Sequence, residues 1–279
     1  MGQHQKLRQS LFSYIPLALG GVLILIPLYL VIITGFKTNQ EVMENFFALP
    51  EVFRWDNFIE ILSRQDFFIY VRNSLFITVA SLAVGVVILP LAAYPLARRM
   101  NESKGYKFLY FFLIMGIFIP FQVRMLPLIK WLSTLGIKNT AGLICCYAAG
   151  SVCEGVFLYA GYIVSMPKEL EEAAYIDGAS PLRTYLTVVF PLLKPMTATI
   201  IIKNGLWFWN DFTLPLLVLN GQPRSWTLVL FQYNFRSAHA IDYSMVFASL
   251  LLSAIPICVM YLFLQKNIIG GLTSGAVKE

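Results

Sequence analysis

Six segments of this chain, at about 11–36, 73–97, 106–128, 141–164, 195–219 and 243–264, are apolar over roughly the 20 residues that a helix needs to cross a bilayer. The first holds no charge. Arg124 interrupts the third near its end, Glu154 lies inside the fourth, and Lys203 and Asp211 lie inside the fifth. Composition agrees: 13% of residues are charged, against about 25% in a soluble domain. The apolar surplus cannot be hidden in one core, because a soluble protein must still present a wetted surface. A disordered chain, a collagen, a disulfide scaffold and an ordinary cytosolic enzyme are thereby excluded. The fold expected is all-α: a polytopic membrane protein of six transmembrane helices in one domain over 1–279, with lipid as its main solvent. No internal repeat and no Pro- or Gly-rich linker divides it.

The first segment follows a basic leader, yet it is too long for a signal-peptide core and no small-residue cleavage site follows, so it reads as a retained anchor. Orientation comes from basic residues beside the spans. Arg98, Arg99, Lys104 and Lys107 form the densest basic cluster and are expected on the cytoplasmic side. Six spans then place both termini inside and 37–72 outside, where six acidic residues outnumber four basic ones. The net charge of +6 fits basic cytoplasmic edges, and no basic run supports nucleic-acid binding. Cys145, Cys146, Cys153 and Cys258 lie in apolar stretches without C-x-x-C spacing or a nearby histidine, so neither a metal site nor a disulfide frame is expected. His4 and His239 are far apart and receive no catalytic role.

The segment 166–191 is too polar to span and too patterned for a slack loop. Glu169, Glu171 and Glu172 fall in the first turns of a helix after Pro167, where the dipole favours acids. Asp177-Gly178 supplies a stop, since glycine takes the left-handed conformation at little cost. Ser180-Pro181 restarts a helix as N-cap and first residue. Leu182, Tyr185, Leu186 and Val189 then form one apolar face, which Pro191 ends. Two short helices joined by a tight turn result. The low surface of Ala173, Ala174, Gly178 and Ala179 suits either a plain connecting elbow or close docking by another protein.

Ionisable residues inside a membrane are functional candidates and face the bundle interior. Gly142, Cys146, Gly150 and Glu154 recur every fourth residue, a stripe that permits close helix approach. Lys203, Trp207, Asn210 and Asp211 share one broad face, with Pro215 expected to kink or end that helix. They read as a polar wall of a solute path. The alternatives are snorkelling for Lys203 and burial against a partner subunit for Asp211. The aromatic cluster of Trp207, Phe208, Trp209 and Phe212 suits sugar stacking, but an aromatic belt and core packing explain it better.

Glu172-Ala-Ala-x-x-Asp177-Gly178-Ala179, followed after eleven intervening residues by Pro191 and then Pro195, resembles the EAA motif of permease subunits of bacterial ATP-binding-cassette importers. Ile119-Pro-Phe-Gln-Val, Trp209-Asn-Asp-Phe-x-x-Pro215 and Gly271-Leu-Thr-Ser-Gly-Ala-Val-Lys278 resemble the MalG-like carbohydrate branch. The resemblance implies that Glu172, Ala173, Ala174, Asp177 and Gly178 form the docking elbow of coupling helices for an ATPase. It also implies a second homologous permease, an ATPase dimer and an extracellular or periplasmic solute-binding protein as partners, in the bacterial inner membrane, with a sugar as the solute. Glu154, Lys203, Asn210 and Asp211 remain the path candidates. The chain has no G-x-x-x-x-G-K-[ST] loop, so it is not expected to be an enzyme or to hold a cofactor itself. The competing reading is a secondary ion-coupled carrier or channel subunit. Such carriers commonly show matching halves, which are not found here. The glycines at 270, 271 and 275 make the tail a poor helix on its own.

Overall fold

Hydrocarbon offers a backbone no partner but itself, so the apolar segments fold as helices, and no β-strand occurs among the described residues. The computed structural model describes residues 3–235 and 241–276. His239 and the last three residues of the tail lie outside them. The helices are α1 (Gln3–Gly35), α2 (Asn39–Glu44), α3 (Asp56–Ser63), α4 (Gln65–Arg99), α5 (Lys104–Met115), α6 (Phe121–Thr134) and α7 (Thr140–Ser165). There follow α8 (Glu169–Ile176), α9 (Pro181–Thr184), α10 (Phe190–Leu192), α11 (Lys194–Asn210), α12 (Thr213–Leu219), α13 (Leu228–Phe231) and α14 (Tyr243–Ala276). Among the described residues, 4 helices are long and apolar enough to cross a membrane, or up to 6 if each of two bent pairs is one span.

The expected third span, 106–128, is not one straight helix. A short 3-10 turn, Gly116–Phe118, follows α5, and the chain then bends by 102° into α6. Pro120 is the cause. A residue before proline is driven from the α region, and Ile119 is extended at φ −84, ψ 109. The expected fifth span, 195–219, also breaks, four residues before the anticipated kink at Pro215. Asp211 is extended, and its Oδ1 accepts from the backbone N–H groups of Thr213 at 2.9 Å and Leu214 at 3.4 Å. Its side chain thus starts α12, and Pro215 falls in the first turn, where no N–H is required. Nor do the tail glycines stop α14. A helix already nucleated upstream carries a cost of about 1 kcal/mol per glycine.

The chain forms two compact units, 1–68 with 231–255 and 69–230 with 256–279. In the first, the end of α1 meets α3 and α14 at Gly35, where an added Cβ would lie 2.9 Å from Leu251 Cδ1 and 3.3 Å from Phe58 Cζ. Phe36, Trp55 and Phe58 pack as an aromatic trio beside it. Lys37 is buried and donates from Nζ to the carbonyls of Asn45 and Phe46. Burial holds its ammonium below the ordinary lysine range. Thr38 and Glu41 form a capping box at the start of α2, and the Thr38 N–H holds the Glu41 carboxyl below the usual range.

The second unit has two cores. One joins Leu89, Ala93 and Leu96 of α4, Val156, Tyr159 and Ile163 of α7, Ile200 of α11, and Tyr185, Val189 and Leu193 from the segment leading into α11. The other joins Ile77, Leu132, Leu143, Tyr147, Phe208 and Leu214. Gly155 lets α7 approach α4: a Cβ there would stand 2.6 Å from Cδ1 and 3.2 Å from Cγ of the fully buried Leu89. Gly155→Val is therefore expected to lower stability by about 1–3 kcal/mol through overpacking. Thermal unfolding of the purified protein checks this, and an unshifted midpoint would show that the α4–α7 contact has slack.

Candidate functional site

The elbow forms as its residues dictate. α8 ends in a left-handed glycine, Gly178 at φ +78. The N–H of Gly178 donates to the Tyr175 carbonyl at 3.0 Å and that of Ala179 to the Ala174 carbonyl at 2.9 Å, the paired bonds of a Schellman ending. Ser180 then accepts from the Arg183 N–H, and Pro181 opens α9. Glu172, Ala173, Asp177 and Gly178 are exposed, Ala174 is half-buried, and nothing lies within 4 Å of the place a Gly178 Cβ would take. Large apolar side chains stand uncovered around them: Ile176 is 87% exposed, and Tyr175, Leu182 and Leu186 are exposed as well.

The single apolar face expected on the second elbow helix divides in two. Tyr185 and Val189 enter the core, while Leu182 and Leu186, one row over, face outward. Between α9 and α10 the helix widens into a π turn, Tyr185–Val189, in which the Phe190 N–H reaches back to the Tyr185 carbonyl. Pro191 does not end the helix. It sits at the start of α10 after that wide turn, and the bend of 69° into α11 comes at Leu193.

One neighbour of the motif was not legible as a site residue. Glu171 is buried, although it adjoins the exposed Glu172. Consecutive helical residues point about 100° apart, so one acid of the pair faces in and the other out. Arg98, at the end of α4, donates from Nε and Nη2 to Glu171 Oε1 at 2.8 and 2.5 Å, and Tyr94 Oη donates to Oε2 at 2.6 Å. The Arg98 guanidinium also reaches the Met166 carbonyl. The paired side chains are only 11% and 9% exposed. Arg98, expected from its charge to mark a membrane edge, also ties the elbow to α4. Beside this knot a groove of about 540 Å³ runs between the end of α4 and the elbow, lined in part by Arg99, Glu172, Tyr175 and Leu182.

Of the intramembrane candidates, Glu154 and Lys203 come together. Lys203 Nζ donates to Glu154 Oε2 at 2.5 Å, between the middles of α7 and α11. The small-residue stripe serves this approach at Gly150, where a Cβ would meet the Trp207 ring at 3.0 Å. Asn210 and Asp211 stand apart from that pair. Asn210 donates to the Leu206 carbonyl of its own helix, and Asp211, besides starting α12, accepts from Tyr147 Oη at 3.2 Å. Phe208 and Trp209 are core residues, whereas Trp207 is partly open. All four cysteines are free, and no metal-binding cluster occurs among the described residues.

The buried pair makes a direct expectation. Glu171→Ala leaves Arg98 buried without its acid and should cost about 3–5 kcal/mol, whereas Arg98→Met combined with Glu171→Leu removes both charges and should cost less than either single change. Thermal unfolding of Glu171→Ala, Arg98→Met and the double variant checks this. Single variants as stable as the parent would show that the pair carries no load.

Comparison with known proteins places the chain. Residues 88–270 match the family model of the binding-protein-dependent transport system inner membrane component. The chain is 46% identical to the multiple sugar-binding transport system permease protein MsmG of Streptococcus mutans over 268 residues, 96% of each chain. It is 38% identical to the melibiose/raffinose/stachyose import permease protein MelC of Bacillus subtilis, over 91% of each. A crystal structure of a bacterial ABC transporter that imports the acidic polysaccharide alginate contains a chain of the same fold, with a TM-score of 0.80 at 20% identity, covering 95% of this chain and 98% of that one. This chain belongs to the family of binding-protein-dependent transport system inner membrane components, as a multi-pass, all-helical permease subunit of an ATP-binding-cassette importer.

Proposed function

We propose that this chain forms half of the translocation path of a sugar or oligosaccharide importer and receives its driving force through the elbow at 166–191. The sugar class rests on the relatives, whose names include multiple sugars and melibiose, raffinose and stachyose. A cytoplasmic ATPase dimer would dock on Glu172, Ala173, Ala174, Asp177 and Gly178. A second, homologous permease would supply the other elbow, and a solute-binding protein would deliver the sugar from outside. In this reading the chain has six spans, with both termini cytoplasmic. Glu154 and Lys203 stand on the path, with Asn210 and Asp211 at the helix break beyond them.

One observation carries the coupling: the elbow presents uncovered apolar side chains outward while its other row sits in the bundle core. A partner pressing on Ile176 and Leu182 therefore acts on a body that already includes Tyr185 and Val189. A loose connecting loop would have neither property.

Gly178→Val tests this. It forces a β-branched residue into the left-handed region at a cost of about 1–2 kcal/mol and adds bulk on an open surface. Membrane insertion should persist, because it depends on apolar length. Co-purification of the ATPase, or its solute-stimulated hydrolysis, should fall, and Glu172→Ala should lower them more mildly. Wild-type values for both in Gly178→Val would sink the docking role. Assembly makes a separate expectation: native mass measurement of the complex should show two different permease chains, and two copies of this one alone would overturn the heteromeric arrangement.

A further inference from the structure

We propose that Arg124, Glu154, Lys203 and Trp207 form a subsite on this chain for a single neutral pyranose ring of the transported sugar; this rests on the sugar-import reading above. These four side chains line one polar cavity of about 210 Å³, together with Cys153 and the glycines at 116 and 150. Glu154 lies near the midpoint of α7, so the cavity stands at the depth of the bilayer's middle. Its ion pair is not sealed: the side chains of Lys203 and Glu154 are 42% and 44% exposed. Charges at that depth face a water-filled path or a protein and not lipid.

The chemistry left over after the ion pair forms suits vicinal hydroxyls. Lys203 has further N–H donors beyond the one given to Glu154, and Glu154 keeps Oε1 as an acceptor. Arg124 adds a planar donor fork and has no acidic partner among the described residues. Hydroxyl groups donate and accept at once, so a diol can bridge such a set. Trp207, partly open at the cavity wall, supplies an aromatic surface for the C–H face of a ring. The volume decides the size of the occupant. It lies below the roughly 300–1,000 Å³ of sites that enclose a drug-sized ligand, so it takes one ring and not a whole oligosaccharide. The glycines at 116 and 150 are part of the design. A Cβ on the first would come 2.6 Å from Cys153 Sγ, and on the second 3.0 Å from the Trp207 ring, so neither tolerates a side chain without closing the space.

Cys153 is a native reporter. The wild-type complex, reconstituted in proteoliposomes, is first assayed for uptake of melibiose, raffinose and maltotriose. It is then treated with a small water-soluble methanethiosulfonate, and the modification of each cysteine on this chain is read by mass spectrometry, with Cys145 and Cys258 as internal controls. A sugar that is taken up should protect Cys153 saturably, slowing its modification about five-fold at four times the half-protecting concentration, and leave the controls unchanged, as simple occupancy requires. Mannitol at equal osmolarity should have no effect. Trp207→Ala should raise the half-protecting concentration about tenfold, the loss of one stacking contact, and Trp207→Phe should recover most of it. Uptake without protection of Cys153, or a Cys153 that never reacts because a partner chain seals the cavity, overturns the subsite alone. No uptake of any of the three sugars overturns the sugar-import reading and the subsite with it.

Discussion

A backbone in hydrocarbon cannot leave a donor or acceptor unpaired, and each interruption of a spanning helix must be met by groups from the protein itself. The break after α11 shows how this is met. Asp211 leaves the helix, and its carboxylate takes up the N–H groups of Thr213 and Leu214 while Tyr147 holds its other oxygen. The indole N–H of Trp226 covers the Leu219 carbonyl at the end of α12. The irregular stretch is thus enclosed by buried aromatic and aliphatic neighbours, Phe208, Leu214 and Leu219 among them. The same requirement explains why proline and an acid, and no run of glycines, mark where these segments turn.

The elbow obeys a second version of that rule. Its Schellman ending and Ser180 cap satisfy the backbone without help from the bundle, so its outer surface is free to be shaped for a partner. Its inner attachment is made by side chains instead. Tyr185 and Val189 pack with Leu89 and Val156, and the Arg98–Glu171–Tyr94 knot pins α8 to the end of α4. A shared apolar core together with a charged knot worth about 3–5 kcal/mol to break ties the elbow to the helix ends. In the proposed reading, a push on the elbow would pass through these contacts into α4, α7 and α11.

Much of this was legible in the residues. Apolar length gives the spanning helices, and Asp177-Gly178-Ala179-Ser180-Pro181 specifies its own turn, because glycine, hydroxyl cap and proline each have one low-cost place there. Three features were not. The bend before α6 hangs on Ile119-Pro120, where the effect of a proline on its predecessor outweighs an unbroken apolar run. The break at Asp211 arises because its carboxylate competes for backbone N–H groups before Pro215 is reached. The inward turn of Glu171 depends on an arginine 73 positions away, and no local spacing carries that information. A pair of adjacent acids at a helix start is a weak signal, since the dipole accounts for both.

The two ion pairs of the second unit differ in how much bonding capacity burial leaves them. Arg98–Glu171 lies at the end of α4 and is almost sealed, with both oxygens of the carboxylate engaged, the signature of a fixed joint. Glu154–Lys203 joins the middles of α7 and α11 yet stays close to half open, with acceptor and donor capacity unspent. An isolated charge at the centre of a spanning helix costs roughly 2.5–3.5 kcal/mol, so a chain gains nothing by placing two there merely to hold helices that Gly150 and Trp207 already bring together. Pairing lowers the charge cost while leaving hydrogen-bonding groups available. In the proposed reading, that combination serves a polar solute that takes the place of water. In the proposed reading the sealed pair would serve as a joint and the open pair would meet the solute, because burial has removed from the first the bonding capacity that the second retains.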